Sequence, residues 1–358
     1  MALRLMIGSA LSIFFVSIVS VQTCAKSKTI TLMSYNVENL FDWTHDEGKL
    51  DYTYMPLQVK LDSPEVLQYC RSQKNPHWRR ECLQMDWTER LVEKKAANLA
   101  DMIRAGVRKG PDIIVLSEVE NINVLNLLLD WEFKDSGYNT VELIEGPDKR
   151  GIDVAVISKY PLAKPSVLHK INLSSGKKGK TRPTRGILEV QLKIGKNTVA
   201  VFSNHWPSQA NPSQHRYKAA QVMMAAAKKV DTKYIISAGD FNTVKKDNPH
   251  GLNELVLNDD KSFHFYDLST LVPVQSDSNV NGSHWYRGKW SFLDKIMVSN
   301  KSLNGKNPMD ISYLRVVSPS FSLIMDNRHG SLRPMRFKPS DASGYSDHLP
   351  LLIEFSIN

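Results

Sequence analysis

The chain has 358 residues, 42% hydrophobic and 23% charged, with 17 prolines and 18 glycines spread along it. That composition excludes a disordered or fibrous chain, and the length allows one large domain or two average ones. A formal charge of +9 points to anionic partners such as nucleic acid, anionic lipid or wall polymer, without choosing among them.

Residues 1–25 read as a secretory signal: Arg4 supplies positive charge, 11–21 is an almost wholly apolar run, and Thr23, Cys24 and Ala25 offer small residues for cleavage. The mature chain, 26–358, is then expected in the periplasm or secreted. An uncleaved anchor is the alternative, although the run is short for a span of roughly 20 residues. Lipid attachment at Cys24 is another, which Gln22 and Thr23 fit poorly. No later segment is apolar enough to cross a membrane, so no stable span remains after signal removal.

β-branched runs at 29–35, 113–116, 154–158, 187–192, 198–203, 234–238, 292–298 and 349–355 have strand lengths and turn-residue borders. Between the first two, 88–105 places Leu91, Ala96, Leu99, Met102 and Ile103 at helical spacing, opened by Asp86 with Glu89 as a capping box. A second helix is expected over 213–230, rich in Ala, Met and Lys. Strands mixed with helices, with no repeat, low-complexity tract or linker, predict one domain of α/β (α+β) layers.

Residues at about 43–87 break the pattern. There Tyr52, Tyr54, Trp78, Arg71, Arg79 and Arg80 surround Cys70 and Cys82, and we read an inserted surface excursion that either covers a sheet edge or touches substrate. In an exported chain Cys70 and Cys82 are candidates for a disulfide, with two free thiols as the alternative. No second Cys or His pair stands at zinc spacing.

Polar residues repeatedly follow the strand-like runs, where a sheet delivers side chains to one rim. Tyr35-Asn36-Val37-Glu38-Asn39 ends the first run, Ser117-Glu118-Val119-Glu120-Asn121 the second, and Ser203-Asn204-His205-Trp206 another. Gly239-Asp240-Phe241-Asn242, Leu293-Asp294-Lys295 and Ser346-Asp347-His348 follow in order. In this order the motifs resemble the DNase I-like endonuclease/exonuclease/phosphatase superfamily over nearly the whole mature chain. The resemblance implies a four-layer sandwich: two mixed β-sheets packed face to face, with helices outside.

It also implies roles. Phosphodiester cleavage needs a Lewis acid, a base for the attacking water and a counter-charge for the transition state. Asn36 and Glu118 look like the metal-side pair, with Glu38 or Asn39 assisting and Asp347 reaching the metal directly or through water; oxygen ligands suit Mg²⁺, with Mn²⁺ as a substitute. Asp240 resembles the water-orienting carboxylate, with Asn242 donating to a phosphate oxygen. His348 resembles the charge-stabilising histidine and Asp294 its carboxylate partner. His205 matches a second histidine that protonates the leaving oxygen or holds phosphate, Asn204 can bind the same phosphate, and Asp153 is the candidate to orient His205 unless it makes a structural salt bridge. Arg150, Arg182 and Arg185 suit phosphate, Lys177, Lys178 and Lys180 form a basic loop, and 285–290 mixes aromatic and basic residues.

The expected function is metal-dependent phosphodiester hydrolysis, with DNA first and RNA second as substrate. A phosphatase or a sphingomyelinase-like phospholipid phosphodiesterase is the alternative on the same scaffold. A catalytically silent binding protein would require loss of this residue set, which the chain retains.

Overall fold

The computed structural model describes residues 29–174, 181–257 and 262–357. The expected leader at 1–25 with Cys24, and Lys177, Lys178 and Lys180, lie outside the described residues. None of the described helices is long and apolar enough to cross a membrane.

The first half of the chain runs β1 Ile30–Leu40, α1 Leu57–Leu61, α2 Pro64–Ser72, α3 Pro76–Gln84, α4 Glu89–Gly106, β2 Ile113–Val119, α5 Ile122–Glu132, β3 Thr140–Leu143, β4 Asp153–Ser158 and β5 Leu162–His169. The second half supplies β6 Ile187–Ile194, β7 Asn197–His205, α6 Ser213–Ala227, β8 Tyr234–Asp240, β9 Phe265–Asp267, β10 Val274–Ser276, β11 Asp294–Ser299, β12 Asp310–Val316 and β13 Leu351–Ser356. One mixed sheet has the order β10-β12-β13-β1-β2-β4-β3, the other β9-β11-β8-β7-β6-β5.

Central strands are apolar on both faces because each face is covered. Along β7, Val199 and Val201 point into the core shared with the first sheet. The alternating residues Ala200 and Phe202 point outward, under Ala219, Ala220 and Met223 of α6. Helix α4 covers the first sheet with Val92, Ala96, Leu99, Met102 and Ile103. The result is the expected four-layer sandwich of two sheets flanked by helices.

The opening of α4 differs from expectation. Thr88 is the N-cap, its hydroxyl accepting from Leu91 N at 3.4 Å, whereas the Asp86 carboxylate accepts from Leu57 N at 2.7 Å and so anchors α1.

The 43–87 segment folds as three short helices. Ser63 and Asn75 cap α2 and α3, each followed by proline at the first helical position. A small cluster of Met55, Val66, Cys70 and Cys82 lies between them, and Cys70 and Cys82 are joined as a disulfide across 12 residues. Closing so short a loop contributes about 3 kcal/mol in the chain-entropy account. Buried Lys60 donates to Thr53 O at 3.1 Å and also to Met85 O. Trp87 Nε1 donates to Phe41 O at 3.2 Å, so the segment leaves and rejoins the domain at one place.

Candidate active site

Three neighbouring strands of the second sheet set the centre. In register, Asp240 on β8 stands opposite His205 on β7 and opposite Asp294 on β11. Side chains directly across adjacent strands share a face, so one row presents imidazole, carboxylate and carboxylate. Gly239 makes this possible: its φ is +132°, and a Cβ there would lie 2.0 Å from Asn204 O, so only glycine lets the strands approach here.

The first sheet delivers its residues through bulges. Pairing shifts between Asn36 and Leu40 on β1 and between Ser117 and Val119 on β2. Glu38, Asn39 and Glu118 there, and Asn242 across the cleft, all have positive φ. For glutamate that conformation is strained, and its clustering at one rim is what a bulge re-aiming side chains toward a site produces. Asn36 Nδ2 consequently lies 3.3 Å from both Glu118 Oε1 and Asp240 Oδ2, bridging the sheets.

Asp240 is 2% exposed. Asn242 N donates to its Oδ1 at 2.8 Å, and Asn242 Nδ2 to its Oδ2 at 2.9 Å. Burial and the Asp294 carboxylate push its pKa up to about 7. His348 Nδ1 lies 2.6 Å from Asp294 Oδ2; against the burial that opposes it, that carboxylate raises the His348 pKa well above the ordinary histidine value. His205 shifts the other way, lowered well below that value by burial and by Arg185 and Arg150. One histidine is therefore held as a cation and the other neutral, with His205 Nε2 3.6 Å from Glu118 Oε1 and 3.9 Å from Asp240 Oδ2.

Not every expected residue points into this cleft. Asn204 has the opposite strand parity to His205: its amide donates to Phe202 O, Ser237 Oγ and Ala238 O and accepts from Trp206 Nε1, leaving nothing for a phosphate. Arg185 is buried, donating to His205 O, Trp206 O and Asp148 Oδ2, so it braces the His205 backbone rather than facing substrate. Arg150 does reach the surface, oriented by two bonds to Asp148 at 3.2 and 3.1 Å. Arg182 donates to Asn211 Oδ1. Asn242 is occupied with Asp240 and Trp206 O, a positioning arrangement rather than a phosphate contact.

Asp153 does not orient His205, whose Nδ1 has no partner among the described residues. Asp153 Oδ1 accepts from Gly146 N at 2.9 Å instead, and its Oδ2 is buried without a partner. Burial raises its pKa from 3.8 to about 6. A folded pKa above the unfolded one means the folded state is favoured most below pH 3.8 and loses that advantage as pH rises through about 6. We expect Asp153→Asn, which keeps the acceptor, to stabilise the fold at pH 8 by up to about 3 kcal/mol, read as a higher melting temperature there but not at pH 4, with hydrolytic activity unchanged. A large loss of activity without a change in melting would restore the orienting role.

The donor set fits a hard cation. Among the described residues, Asp240, Asp294 and His348 offer possible ligand atoms mutually within 4.8 Å, as do Asp46, Asp51 and Glu120, but Asp294 Oδ2 and His348 Nδ1 are already paired with each other. The partly exposed carboxylates are Glu118 and Asp347, at 21% and 37%. Asn36 turns its NH₂ toward the carboxylates because its Oδ1 accepts from Glu38 N at 3.0 Å; to ligate through oxygen it would have to release that bond. The buried, unpartnered Asp294 Oδ1 and the raised Asp240 both mark a centre short of positive charge.

Sequence reasoning names Glu38 as a metal-side helper and includes Ser346 in its motif, but misses Lys95 and Arg336 behind this rim. Buried Glu38 pairs with Arg336, and Lys95 Nζ donates to Glu38 O at 2.8 Å. Ser346 Oγ donates to Asn36 O at 2.7 Å and accepts from His348 N, joining the first strand to the last motif. The Ser-Asp-His run signalled Ser346; nothing local signals Arg336.

A family model described as the Endonuclease/Exonuclease/phosphatase family matches residues 74–356. No curated protein matches the chain. Among solved structures, the chain is similar to the endonuclease/exonuclease/phosphatase from Bacteroides vulgatus at 12% identity, covering 92% of this chain and 100% of that one with a TM-score of 0.55. It is similar to the endonuclease/exonuclease/phosphatase from Beutenbergia cavernae at 14% identity, covering 92% and 72% with a TM-score of 0.53. A mutant beta toxin from Staphylococcus aureus with bound magnesium ions is similar at 15% identity, covering 91% and 99% with a TM-score of 0.50. At these identities the likeness is one of fold.

Proposed function

Because the chain belongs to the endonuclease/exonuclease/phosphatase family, a family of phosphoric ester hydrolases, we propose that it is an exported, divalent-metal-dependent nuclease acting on DNA, with RNA as a further substrate. The observation that carries this reading is the row His205, Asp240, Asp294 across three strands, facing Glu118 and closed by the Asp294–His348 pair.

Glu118 and Asp347, with Asn36, would hold the cation, for which Mg²⁺ suits the oxygen donors and Mn²⁺ can substitute. The bound magnesium of the beta toxin structure supports that choice. When bound, the metal supplies Lewis-acid polarisation of a phosphate oxygen. Asp240, ionised and held by Asn242, accepts a proton from the attacking water. His348, kept cationic by Asp294, donates from Nε2 to a phosphate oxygen and offsets the growing negative charge. As water bonds to phosphorus, the P–O bond opposite it breaks and the leaving oxygen takes a proton from solvent. Neutral His205 meanwhile holds the phosphate from the other side, and Arg150 adds a charged fork at the rim.

Polymeric nucleic acid is the substrate that a net charge of +9 favours, since each phosphate neutralised releases counterions. A panel of plasmid, single-stranded DNA, RNA, sphingomyelin and an inositol polyphosphate, each with Mg²⁺, Mn²⁺ and chelator, tests this. Nucleic acid should be cut fastest, with KM on DNA rising steeply with salt. Faster hydrolysis of sphingomyelin or the inositol phosphate than of plasmid at equal low salt would overturn the nuclease assignment.

A further inference from the structure

Beside the catalytic rim a groove of about 1580 Å³ opens at Glu38 and Asn39 and extends along the inserted helices to Trp78. Sites for drug-sized ligands are about 300–1,000 Å³, so a single nucleotide would fill only part of it. Its floor is aromatic: Phe41 stacks on Tyr54 at 4.0 Å, Tyr54 meets Trp87 edge-on at 5.2 Å, and Trp87 meets Phe337 at 6.2 Å.

The walls are cationic. Arg80, Arg90, Lys94, Arg150, Arg336 and Lys338 are all exposed along the groove. The lining also holds the carboxylates Glu81, Asp86, Glu93 and Glu132. Asp86 accepts from Leu57 N, Glu81 lies 3.4 Å from His77 Nε2, and Arg336 pairs with Glu38, so the cations still outnumber the acids along the walls. At the far wall, Trp78 on α3 shows 59% of its surface to solvent. The Cys70–Cys82 disulfide ties α3 to α2, which fixes the wall that carries this ring.

We propose that this groove is a binding track for single-stranded nucleic acid leading to the scissile phosphate, with Trp78 stacking a base and the flanking cations following the backbone. The proposal rests on the nuclease reading for the strand's destination. Unpaired bases present a π-face to an exposed indole, whereas bases inside a duplex do not, and a basic groove with aromatic platforms is the general solution for single strands.

Binding of labelled DNA strands of roughly 4 and 16 nucleotides to the full mature protein, measured by anisotropy in chelator, tests the track. The longer strand should bind much more tightly. Trp78→Ala should weaken its binding about tenfold while leaving the short strand and the rate on a small chromogenic phosphodiester unchanged, and Trp78→Phe should retain most of the affinity. The double variant Arg80→Gln, Arg90→Gln should flatten the salt dependence of binding. Equal wild-type affinity for both strands, or wild-type binding by Trp78→Ala with an unaltered melting curve, would overturn the track. A long strand bound through Trp78 but left uncut when metal is restored would instead remove the nuclease reading and leave the track standing.

Discussion

Asp240→Asn is expected to lower kcat on any phosphodiester by roughly 10³- to 10⁴-fold, at the upper end of what a positioned base contributes, with little loss of stability. The carboxylate is buried and fixed by three donors, from Asn242 N, Asn242 Nδ2 and Asn36 Nδ2. An amide keeps the oxygen that Asn242 N addresses but cannot take a proton from water. Two effects on stability oppose each other: the new NH₂ faces donors, while removal of a buried acid relieves burial and repulsion from Asp294, the causes that push Asp240 up to about 7. The same causes set the pH dependence. The base must be ionised, so in the wild type kcat/KM should climb as pH rises toward and past neutrality, and a cation bound nearby would draw that limb lower. Rates at saturating metal together with thermal melts check this. A folded Asp240→Asn enzyme turning over at the wild-type rate would remove Asp240 from the chemistry.

The parts of the fold readable from sequence are those where burial leaves a pattern. Every residue of β8 is buried, and its apolar stretch, interrupted only by Ser237 before Gly239 and Asp240, reads as a strand. The edge strand β5 has no buried residue along Leu162–His169, so it carries no clear apolar signature and no strand is predicted there. Helix α5 carries a weak signal for another reason: Asn123, Asn126 and Asp130 leave only a narrow polar stripe on an otherwise apolar segment, and Asn121, whose side chain accepts from Val124 N at 3.0 Å, marks its start. The Ser63-Pro64 and Asn75-Pro76 pairs are cap signals within 43–87 that stand out less than the surrounding irregularity.

For the site, motif order located the strand ends, and the structure brings Asn36, Glu118, His205, Asp240, Asn242, Asp294 and His348 to one rim. What the motifs could not supply is direction and partner. Asn204 and His205 are adjacent in sequence, yet strand parity sends one under α6 and the other into the cleft. Arg185 looks like a phosphate ligand in sequence and is consumed by backbone carbonyls, while Asp148, which orients Arg150, has no motif of its own. The pairing of Glu38 with Arg336 spans 298 positions and follows only from packing of the last loop on the first strand.

Glu118→Gln carries the second large expected effect and bears on the central claim, that a carboxylate-held divalent metal drives the hydrolysis. Glu118 is the partly exposed carboxylate of the bulged β2 rim, and its amide keeps the shape but loses the charge a hard cation requires. Loss of an outer-shell partner alone costs about 10- to 100-fold in metal affinity, so loss of this ligand should shift half-maximal metal concentration by at least that factor. The decisive measurement is the hydrolysis rate of one small phosphodiester against Mg²⁺ and Mn²⁺ concentration, from chelator upward, for wild type and Glu118→Gln. We predict no turnover in chelator, full recovery of the wild type on either metal, and partial recovery of Glu118→Gln only at much higher concentration. Undiminished hydrolysis in chelator, or superimposable metal curves for the two proteins, would contradict the account.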